Sequence, residues 1–188
     1  MVILGIVFGG LLGIILVIFI FGAGVYNNII SLKTQAENAW SQIKVQLNRR
    51  YDLIPNLVET VKGYLNHERE TLEKVIQARN MAAGSSTVAD SIKNDNILTG
   101  AMKSLFMVME KYPDLKANQN VMQLQEEIVS TENKIAFARQ HYNDSVMMLN
   151  RLIQSFPHNI IAGMFHFLPF DFFNVEDNEV LKRPDVKF

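Results

Sequence analysis

Residues 121–156 read VMQLQEEIVSTENKIAFARQHYNDSVMMLNRLIQSF, and this stretch decides the fold. Its seam positions follow one another at alternating steps of three and four residues, and most of them are apolar: Val121, Leu124, Ile128, Thr131, Ile135, Ala138, Tyr142, Ser145, Leu149, Leu152 and Phe156. A sustained heptad pattern of this kind is typical of one long helix whose seam packs against other helices, as in a coiled coil. Pro157 ends the predicted helix, because proline lacks the N–H that a continuing helix needs.

A second long apolar stripe precedes this helix, and it also steps by three and four residues apart from one polar gap at Glu68. Its members are Ile29, Leu32, Ala36, Trp40, Ile43, Leu47, Tyr51, Ile54, Val58, Val61, Leu65, Leu72 and Val75. Pro55 falls inside the stripe without shifting its phase. We therefore predict a kinked continuous helix here, or a very tight break capped by Asp52, ending near Gly84.

A shorter helix is predicted between these two. Ser86 or Thr87 is placed to cap it, its apolar side carries Leu98, Met102, Leu105 and Met109, and Pro113 stops it. Two long helices and one or two shorter ones with short connections predict an all-α fold, an antiparallel helical bundle over residues 27–157.

Residues 1–26 are predicted to form a separate transmembrane anchor. The run from Val2 to Val25 contains no charged or strongly polar residue. About 20 such residues in a helix span a bilayer core, so we place a transmembrane helix at residues 3–25. A cleaved signal peptide is the alternative, with Gly22-Ala23-Gly24 as its cleavage site, but the run is long for one and no basic residue precedes it.

The anchor carries a stripe of glycines. Gly5, Gly9 and Gly13 are four residues apart and share one face of the helix. Overlapping G-x-x-x-G units allow a second transmembrane helix to approach closely, so these glycines are candidates for membrane helix–helix contact. The alternative is that glycine is simply common in membrane helices.

Basic residues follow the anchor and none precedes it. Lys33, Lys44, Arg49 and Arg50 lie after the span. The positive-inside rule therefore predicts a single-pass protein of the inner (cell) membrane, with its N-terminus outside and the C-terminal domain in the cytoplasm.

Residues 158–188 differ from the bundle, because they are rich in aromatic residues and broken by proline. We expect this apolar, partly irregular tail to pack on its own bundle, since large apolar surfaces are uncommon on soluble monomers. Contact with a neighbouring subunit or with the membrane is the alternative, and its candidates are Phe165, Phe167, Phe170, Phe172 and Phe173.

Composition excludes several kinds of chemistry. There is no cysteine, so disulfides, thiolate catalysis and cysteine-based zinc sites are ruled out. The net charge of −1 gives no basic excess for nucleic acid. His67-Glu68 lacks the second histidine of H-E-x-x-H, and His158 and His166 have no carboxylate-rich partner motif. We therefore predict no catalytic residue, no metal site and no cofactor.

The densest polar cluster is Arg49-Arg50-Tyr51-Asp52, beside Pro55. It is a candidate interaction cluster for an acidic partner or lipid headgroups. The interpretation we favour is structural, in which Arg50 and Asp52 pair with charges on a neighbouring helix. The candidate partners are Glu126, Glu127 and Arg139.

Residues 39–64, AWSQIKVQLNRRYDLIPNLVETVKGY, resemble the signature of the LemA family. The resemblance resumes at residues 132–139, ENKIAFAR, and closes with PDVKF at residues 184–188, so it covers nearly the whole chain, including the anchor. It implies a bacterial membrane-anchored helical bundle with no established enzymatic activity and no assigned catalytic residues. One relative is associated with magnetosome membranes, which suggests a role in organising membranes.

The sequence leaves two functions open. The first is a structural protein that forms homo-oligomers in the lipid membrane and scaffolds or shapes it, as the glycine stripe, the heptad seam and the apolar tail suggest. The second is a monomeric tethered adaptor that binds another membrane or cytoplasmic protein, as the Arg49–Asp52 cluster and the charged helix faces suggest. We favour the first, and a membrane-anchored enzyme is the least supported interpretation because no convergent polar site is present.

Overall fold

The computed structural model describes residues 2–65 and 67–173, and for Val2 and Gly5 it describes the backbone only. This part of the chain is helical and contains no strand, which confirms the predicted all-α fold. The helices are α1 (Val2–Lys62), α2 (Arg69–Ala83), α3 (Val88–Met109), α4 (Pro113–Lys116), α5 (Gln119–Gln154) and α6 (His158–Met164).

Helix α1 is a single helix of 61 residues, about 90 Å long at 1.5 Å per residue. It begins in the apolar N-terminal run and continues into the amphipathic stripe without interruption. Pro55 lies inside it, so the prediction of a continuous helix through the proline is confirmed and the alternative break is not observed.

The prediction that this helix continues to Gly84 is wrong. Helix α1 ends at Lys62 and α2 begins at Arg69. Gly63 follows the last helical residue, and the N–H groups of Tyr64 and Leu65 both donate to the carbonyl oxygen of Val61, which closes a tight turn. Leu65 is nevertheless 1 % exposed, so an apolar side chain from the turn keeps the spacing of the stripe across the break. This is why the sequence periodicity did not reveal it.

Polar and proline residues define the ends of the shorter helices. Gly84 is the C-cap of α2, as predicted, with an ordinary right-handed φ of −84°. Thr87 is the N-cap of α3, and its hydroxyl oxygen accepts a hydrogen bond of 3.0 Å from the N–H of Asp90. Pro113 sits in the first turn of α4, where its missing N–H costs nothing because that group would have no partner in the helix.

The described chain divides into two compact units, and both long helices contribute to both. Unit 1 contains residues 2–42 and 138–172, and unit 2 contains residues 43–137 together with Phe173. The predicted segments 1–26, 27–157 and 158–188 stay a prediction, since this division groups residues by their contacts.

In unit 1, α1 and α5 run antiparallel. Val25 and Ile29 form a core cluster with Leu149, Ile153 and Ala162. Farther along α1, the ring of Trp40 lies 5.7 Å from the ring of Tyr142, so increasing residue numbers in α1 meet decreasing numbers in α5. The pairing confirms the antiparallel arrangement that the heptad seam and short connections predict.

The predicted seam of α5 faces inward. Each of its positions from Val121 to Leu152 is buried or half-buried, whereas Phe156 is 80 % exposed because α5 has already ended at Gln154. In unit 2, α2 packs against α3, and the short α2–α3 connection is held by Asn94, which donates to the backbone oxygen of Met81 and to the hydroxyl of Ser85.

Candidate functional site

The N-terminal part of α1 exposes all of its large apolar side chains. Every described one from Ile3 to Phe21 is at least 51 % exposed. Among the described helices, α1 is the one long and apolar enough to cross a membrane. Apolar side chains that find no partner within a protein are stable in lipid rather than in water, so this segment is a candidate membrane span.

The glycine stripe of the span is open along the part that is described. A Cβ atom built on Gly9 or Gly13 would meet nothing within 4 Å, while the surroundings of Gly5 lie outside the described residues. Gly22 differs, because its Cβ position is 3.6 Å from Cδ1 of Ile161 in α6. Helix–helix contact through Gly5, Gly9 and Gly13 therefore stays a prediction about a second chain.

The C-terminal segment of unit 1 packs around α1 where the exposed apolar run ends. The ring of Tyr26 lies 4.8 Å from that of Phe165 and 5.6 Å from that of Phe167. Phe167 and Phe170 are half-buried against the unit 1 core. Phe167 and Phe170 therefore pack on helices of their own chain, as predicted for the tail, whereas tail residues 174–188 lie outside the described residues.

Polar contacts fix the last described part of this segment on α5. Asn150 donates from Nδ2 to the backbone oxygen of Phe170 at 2.8 Å, and its Oδ1 accepts from the Phe170 N–H at 2.9 Å. The hydroxyl of Tyr142 donates to the backbone oxygen of Asp171 at 2.9 Å. Burial, and then the negative charge of Asp171, raise the pKa of Tyr142. Asn150 was not predicted, because it lies beside the apolar seam rather than on it.

Several apolar residues of the same segment remain exposed, and we call them the C-terminal apolar patch: Phe156 at 80 %, Ile160 at 54 %, Met164 at 67 %, Phe165 at 56 % and Leu168 at 76 %. Of the five predicted contact residues, Phe165 and Phe172 (40 %) are exposed, while Phe173 is 3 % exposed. Composition could not distinguish the exposed from the buried phenylalanines, because their side chains have the same hydrophobicity.

The Arg49–Asp52 cluster is split between the interior and the surface. Arg50 is 2 % exposed, and its guanidinium donates to Oδ1 of Asp95 at 3.3 Å and to the hydroxyl of Thr99 at 3.0 Å. Tyr51 is 4 % exposed, whereas Arg49 and Asp52 are exposed. Arg50 and Tyr51 thus are not available on the surface for an acidic partner or a headgroup.

The observed ion pairs have the predicted structural character but different partners. Arg50 pairs with Asp95 of α3, and Asp52 lies 3.8 Å from Arg79 of α2. Arg79 also donates from Nε to the backbone oxygen of Tyr51 at 2.9 Å. The candidate partners Glu126, Glu127 and Arg139 are not used in these pairs. A sequence signal existed for Asp95, because it lies three residues before Leu98, in phase with the apolar side of α3.

Unit 2 also contains an open groove between the end of α1 and α2, with a volume of about 1240 Å³. The groove is lined by apolar side chains, including Val58, Leu65, Leu72 and Ile76. It is also lined by the charged side chains of Glu59, Lys62, Arg69 and Glu73. The described residues contain no cluster of three or more metal-ligating side chains. The groove is thus suited to an amphipathic segment more than to a metal or a charged small molecule.

The outer face of α5 carries a second exposed apolar stripe, which we call the α5 stripe. It consists of Met122 at 43 %, Val129 at 50 % and Phe137 at 73 % exposure. Residues seven and eight positions apart lie on one face of a helix, so these three side chains line up along α5. Heptad analysis of the inward seam did not identify them, because they fall on the opposite side of the helix.

These features define a class of protein: a chain whose described residues form helices and turns without a strand and include a candidate membrane span. The profile of the LemA family matches residues 39–188. The chain belongs to the LemA family, whose members are membrane-associated and which is not a known enzyme family. The match begins at residue 39 and so does not include the predicted anchor, although the sequence resemblance predicts that the anchor belongs to it.

A curated relative gives the same family. The chain is 29 % identical over 140 residues to Protein LemA of Metamycoplasma hominis, an alignment that covers 72 % of this chain and 63 % of that protein. The alignment thus spans less than two thirds of the relative's length.

Proposed function

We propose that this protein is a non-enzymatic, single-pass membrane protein that self-associates and scaffolds or shapes the membrane. The observation that carries the proposal is the α5 stripe, an apolar row on a helix whose other side already forms the core. Exposed apolar rows bordered by polar residues mark protein–protein contacts. Because every copy carries the same row, a second copy of the chain is a complementary partner.

Charge around the stripe supports such a self-contact. Glu126 and Lys134 each lie four residues from Ser130, one on either side. In an antiparallel two-fold pair that crosses at Ser130, Glu126 of one copy would face Lys134 of the other, and the pairing would be satisfied twice. A parallel pair would instead bring like residues together along the stripe.

The absence of cysteine from the sequence makes the contact straightforward to test. We would introduce single cysteines by Glu126→Cys, Ser130→Cys and Asn133→Cys, with Ser104→Cys on the exposed side of α3 as the matched control. A disulfide needs Cβ atoms about 4 Å apart, so only positions that meet their own copy will crosslink. Antiparallel pairing predicts crosslinks concentrated at Ser130, and parallel pairing predicts them at Glu126, Ser130 and Asn133 alike.

The mass of the full-length protein in mild detergent, beside a chain starting at Asn27, completes the test. We expect a discrete oligomer whose mass falls for Phe137→Asp and does not change for Met107→Asp, a site on α3 of comparable exposure (65 % against 73 % for Phe137). Persistence of the oligomer without the anchor would assign assembly to the helical units, and its loss would assign it to the span. A strictly monomeric full-length protein without stripe crosslinks would overturn the proposal.

A second function, a monomeric tethered adaptor, is favoured by the groove between α1 and α2. Its apolar floor and mixed charges are suited to an amphipathic helix of another membrane or cytoplasmic protein. A photo-crosslinking residue at Gln77 in the groove, with Lys103 on the exposed side of α3 as control, tests this in cells. A discrete heterologous adduct at Gln77 alone supports the adaptor, and recovery of self-adducts alone counts against it.

For the topology, we propose that the helical part lies in the cytoplasm of a bacterial cell with the N-terminus outside. Lys33, Lys44 and Arg49 follow the span, and basic residues stay on the cytoplasmic side during insertion. A membrane-impermeant thiol reagent should leave Val45→Cys unlabelled in intact cells and label it after lysis. Labelling in intact cells would reverse the assigned orientation.

A further inference from the structure

The length of the apolar run locates the surface of the membrane along α1. From Ile3 to Phe21 the helix rises about 28 Å, which matches a hydrocarbon core of roughly 30 Å. The next turn, Gly22 to Tyr26, then falls in the layer of lipid headgroups. Tyr26 is suited to this level, since tyrosine is enriched where a membrane helix meets water.

Helix α6 and the residues after it are held at the same level. Cδ1 of Ile161 lies 3.6 Å from the position that a Cβ atom on Gly22 would occupy, and Phe165 and Phe167 pack on the ring of Tyr26. Ala162 is buried in the core cluster that includes Val25. These contacts all lie within unit 1, and they place α6 beside the turn of α1 that leaves the hydrocarbon.

The C-terminal apolar patch is the part of this segment that the protein itself does not cover. Ile160 and Met164 are four residues apart in α6 and share a face, and Phe165 and Leu168 follow the helix, all more than half exposed. Transfer of apolar side chains of this size out of water is favourable, and the nearest apolar phase at their level is the lipid that surrounds α1.

The charges in the N-terminal part of α1 and in the segment around α6 support lipid as the phase that covers the C-terminal apolar patch. There is no carboxylate between residues 1 and 36 or between residues 145 and 170 of the sequence, whereas these segments contain the basic residues Lys33 and Arg151. Anionic headgroups attract such basic residues, and a carboxylate at this level would repel them. An apolar surface flanked by basic and neutral polar residues is typical of segments that lie in a membrane interface.

We propose that the C-terminal apolar patch inserts into the same leaflet that α1 enters, as a second membrane contact distinct from the span. The inference rests on α1 being a membrane span and does not depend on self-association. Phe156, Ile160, Met164, Phe165 and Leu168 reach the boundary between headgroups and acyl chains. The chain therefore meets the bilayer twice, once through α1 and once through a segment more than 130 residues later in the sequence.

Depth-dependent fluorescence quenching tests the proposal on the full-length chain. Single cysteines at Met164→Cys and Leu168→Cys, labelled with an environment-sensitive fluorophore, would be placed in nanodiscs of phosphatidylglycerol and phosphatidylcholine that hold one copy each. Val45→Cys is the control, because it is 63 % exposed on α1 and lies about 35 Å beyond Gly22 along the helix axis. The two patch labels should be blue-shifted and quenched several-fold more than the Val45 label by lipids brominated near the ester end of the acyl chain.

Two further results separate this proposal from the others. Phe19→Cys reports the span itself, so quenching at Phe19 without quenching at Leu168 would overturn the patch contact and leave the anchor intact. If the label at position 168 is blue-shifted only in discs that hold two or more copies, the patch binds a neighbouring chain instead of lipid, and the proposal is wrong. Replacing phosphatidylglycerol with phosphatidylcholine should weaken quenching at Leu168 while that at Phe19 stays constant.

Discussion

Removal of one member of the Arg50–Asp95 pair should destabilise unit 2 more than any change at an exposed charge. Both side chains are closed from water, at 2 % and 0 % exposure, and Nη1 of Arg50 lies 3.3 Å from Oδ1 of Asp95. Taking one partner away leaves a charge in the interior without its counter-ion, which costs about 3–5 kcal/mol. In a protein of this size each kcal/mol shifts Tm by about 2–4 °C, so Asp95→Ala should lower it by roughly 6–20 °C.

Although Asp95 makes a further contact that leucine does not replace, the double replacement Arg50→Met with Asp95→Leu should recover part of this loss. It removes both charges and keeps apolar volume at the site, and exchanges of buried ion pairs for packed apolar side chains are often neutral or stabilising. We therefore expect a coupling free energy of several kcal/mol between the two positions, from a double-mutant cycle followed by helical circular dichroism of the full-length protein in mild detergent.

Asp52→Ala is the matched control for the cycle. Asp52 is 81 % exposed and 3.8 Å from Arg79, and pairs of this kind contribute about 0–1 kcal/mol. If Asp95→Ala and Asp52→Ala proved equally mild, water would have to reach the Arg50–Asp95 site, and the reasoning from burial would be refuted.

Three further predictions concern unit 1, and each is measured by unfolding of the full-length protein. The pKa of Tyr142 is raised in the folded protein, so the stability that neutral Tyr142 contributes should be complete below pH about 10 and lost as the pH rises through the raised pKa. Tyr142→Phe should remove this loss of stability at alkaline pH. Asn150→Ala should cost about 1–3 kcal/mol, because it removes both bonds to the Phe170 backbone, and hydrogen exchange at the Phe170 amide should accelerate while that at Ile135 stays unchanged. His166 has a φ of 55°, so His166→Gly should be tolerated whereas His166→Val should lose about 1–2 kcal/mol. The respective prediction would be contradicted by a stability that does not change at alkaline pH, by an unchanged hydrogen-exchange rate of the Phe170 amide in Asn150→Ala, or by equal stability of the two His166 variants.

The sequence predicted the helices well because their apolar residues repeat with the helical period. The seam of α5 and the stripe of α1 both face inward, and Thr87 caps α3 as one of the two candidates. Periodicity failed between Lys62 and Arg69, since Leu65 fills the core from a turn and keeps the spacing intact. Gly63 and the polar gap at Glu68 were the local signals of that turn.

The burial of Arg50 could be predicted from the sequence more readily than the identity of its partners. Arg50 lies three residues after Leu47 and four before Ile54, both core positions, so its direction follows from the helical phase. The identity of its partner depends on how α3 is aligned against α1, which is a long-range property that no local pattern encodes. The predicted partners on α5 were therefore replaced by Asp95 and Thr99 of α3.

The C-terminal segment shows why composition alone could not assign its role. Phe167 and Leu168 are neighbours of similar hydrophobicity, yet the first packs on Tyr26 and the unit 1 core whereas the second is 76 % exposed. Asn150 holds the Phe170 backbone at both its N–H and its carbonyl oxygen, which fixes which side chains turn inward. The two outcomes are thus linked: burial of Phe167 and Phe170 against the unit 1 core sets the position of Leu168, next to Phe167 and its contact with Tyr26 of α1. Loosening the Asn150 clamp should accordingly lower lipid quenching at Leu168 and leave it unchanged at Phe19.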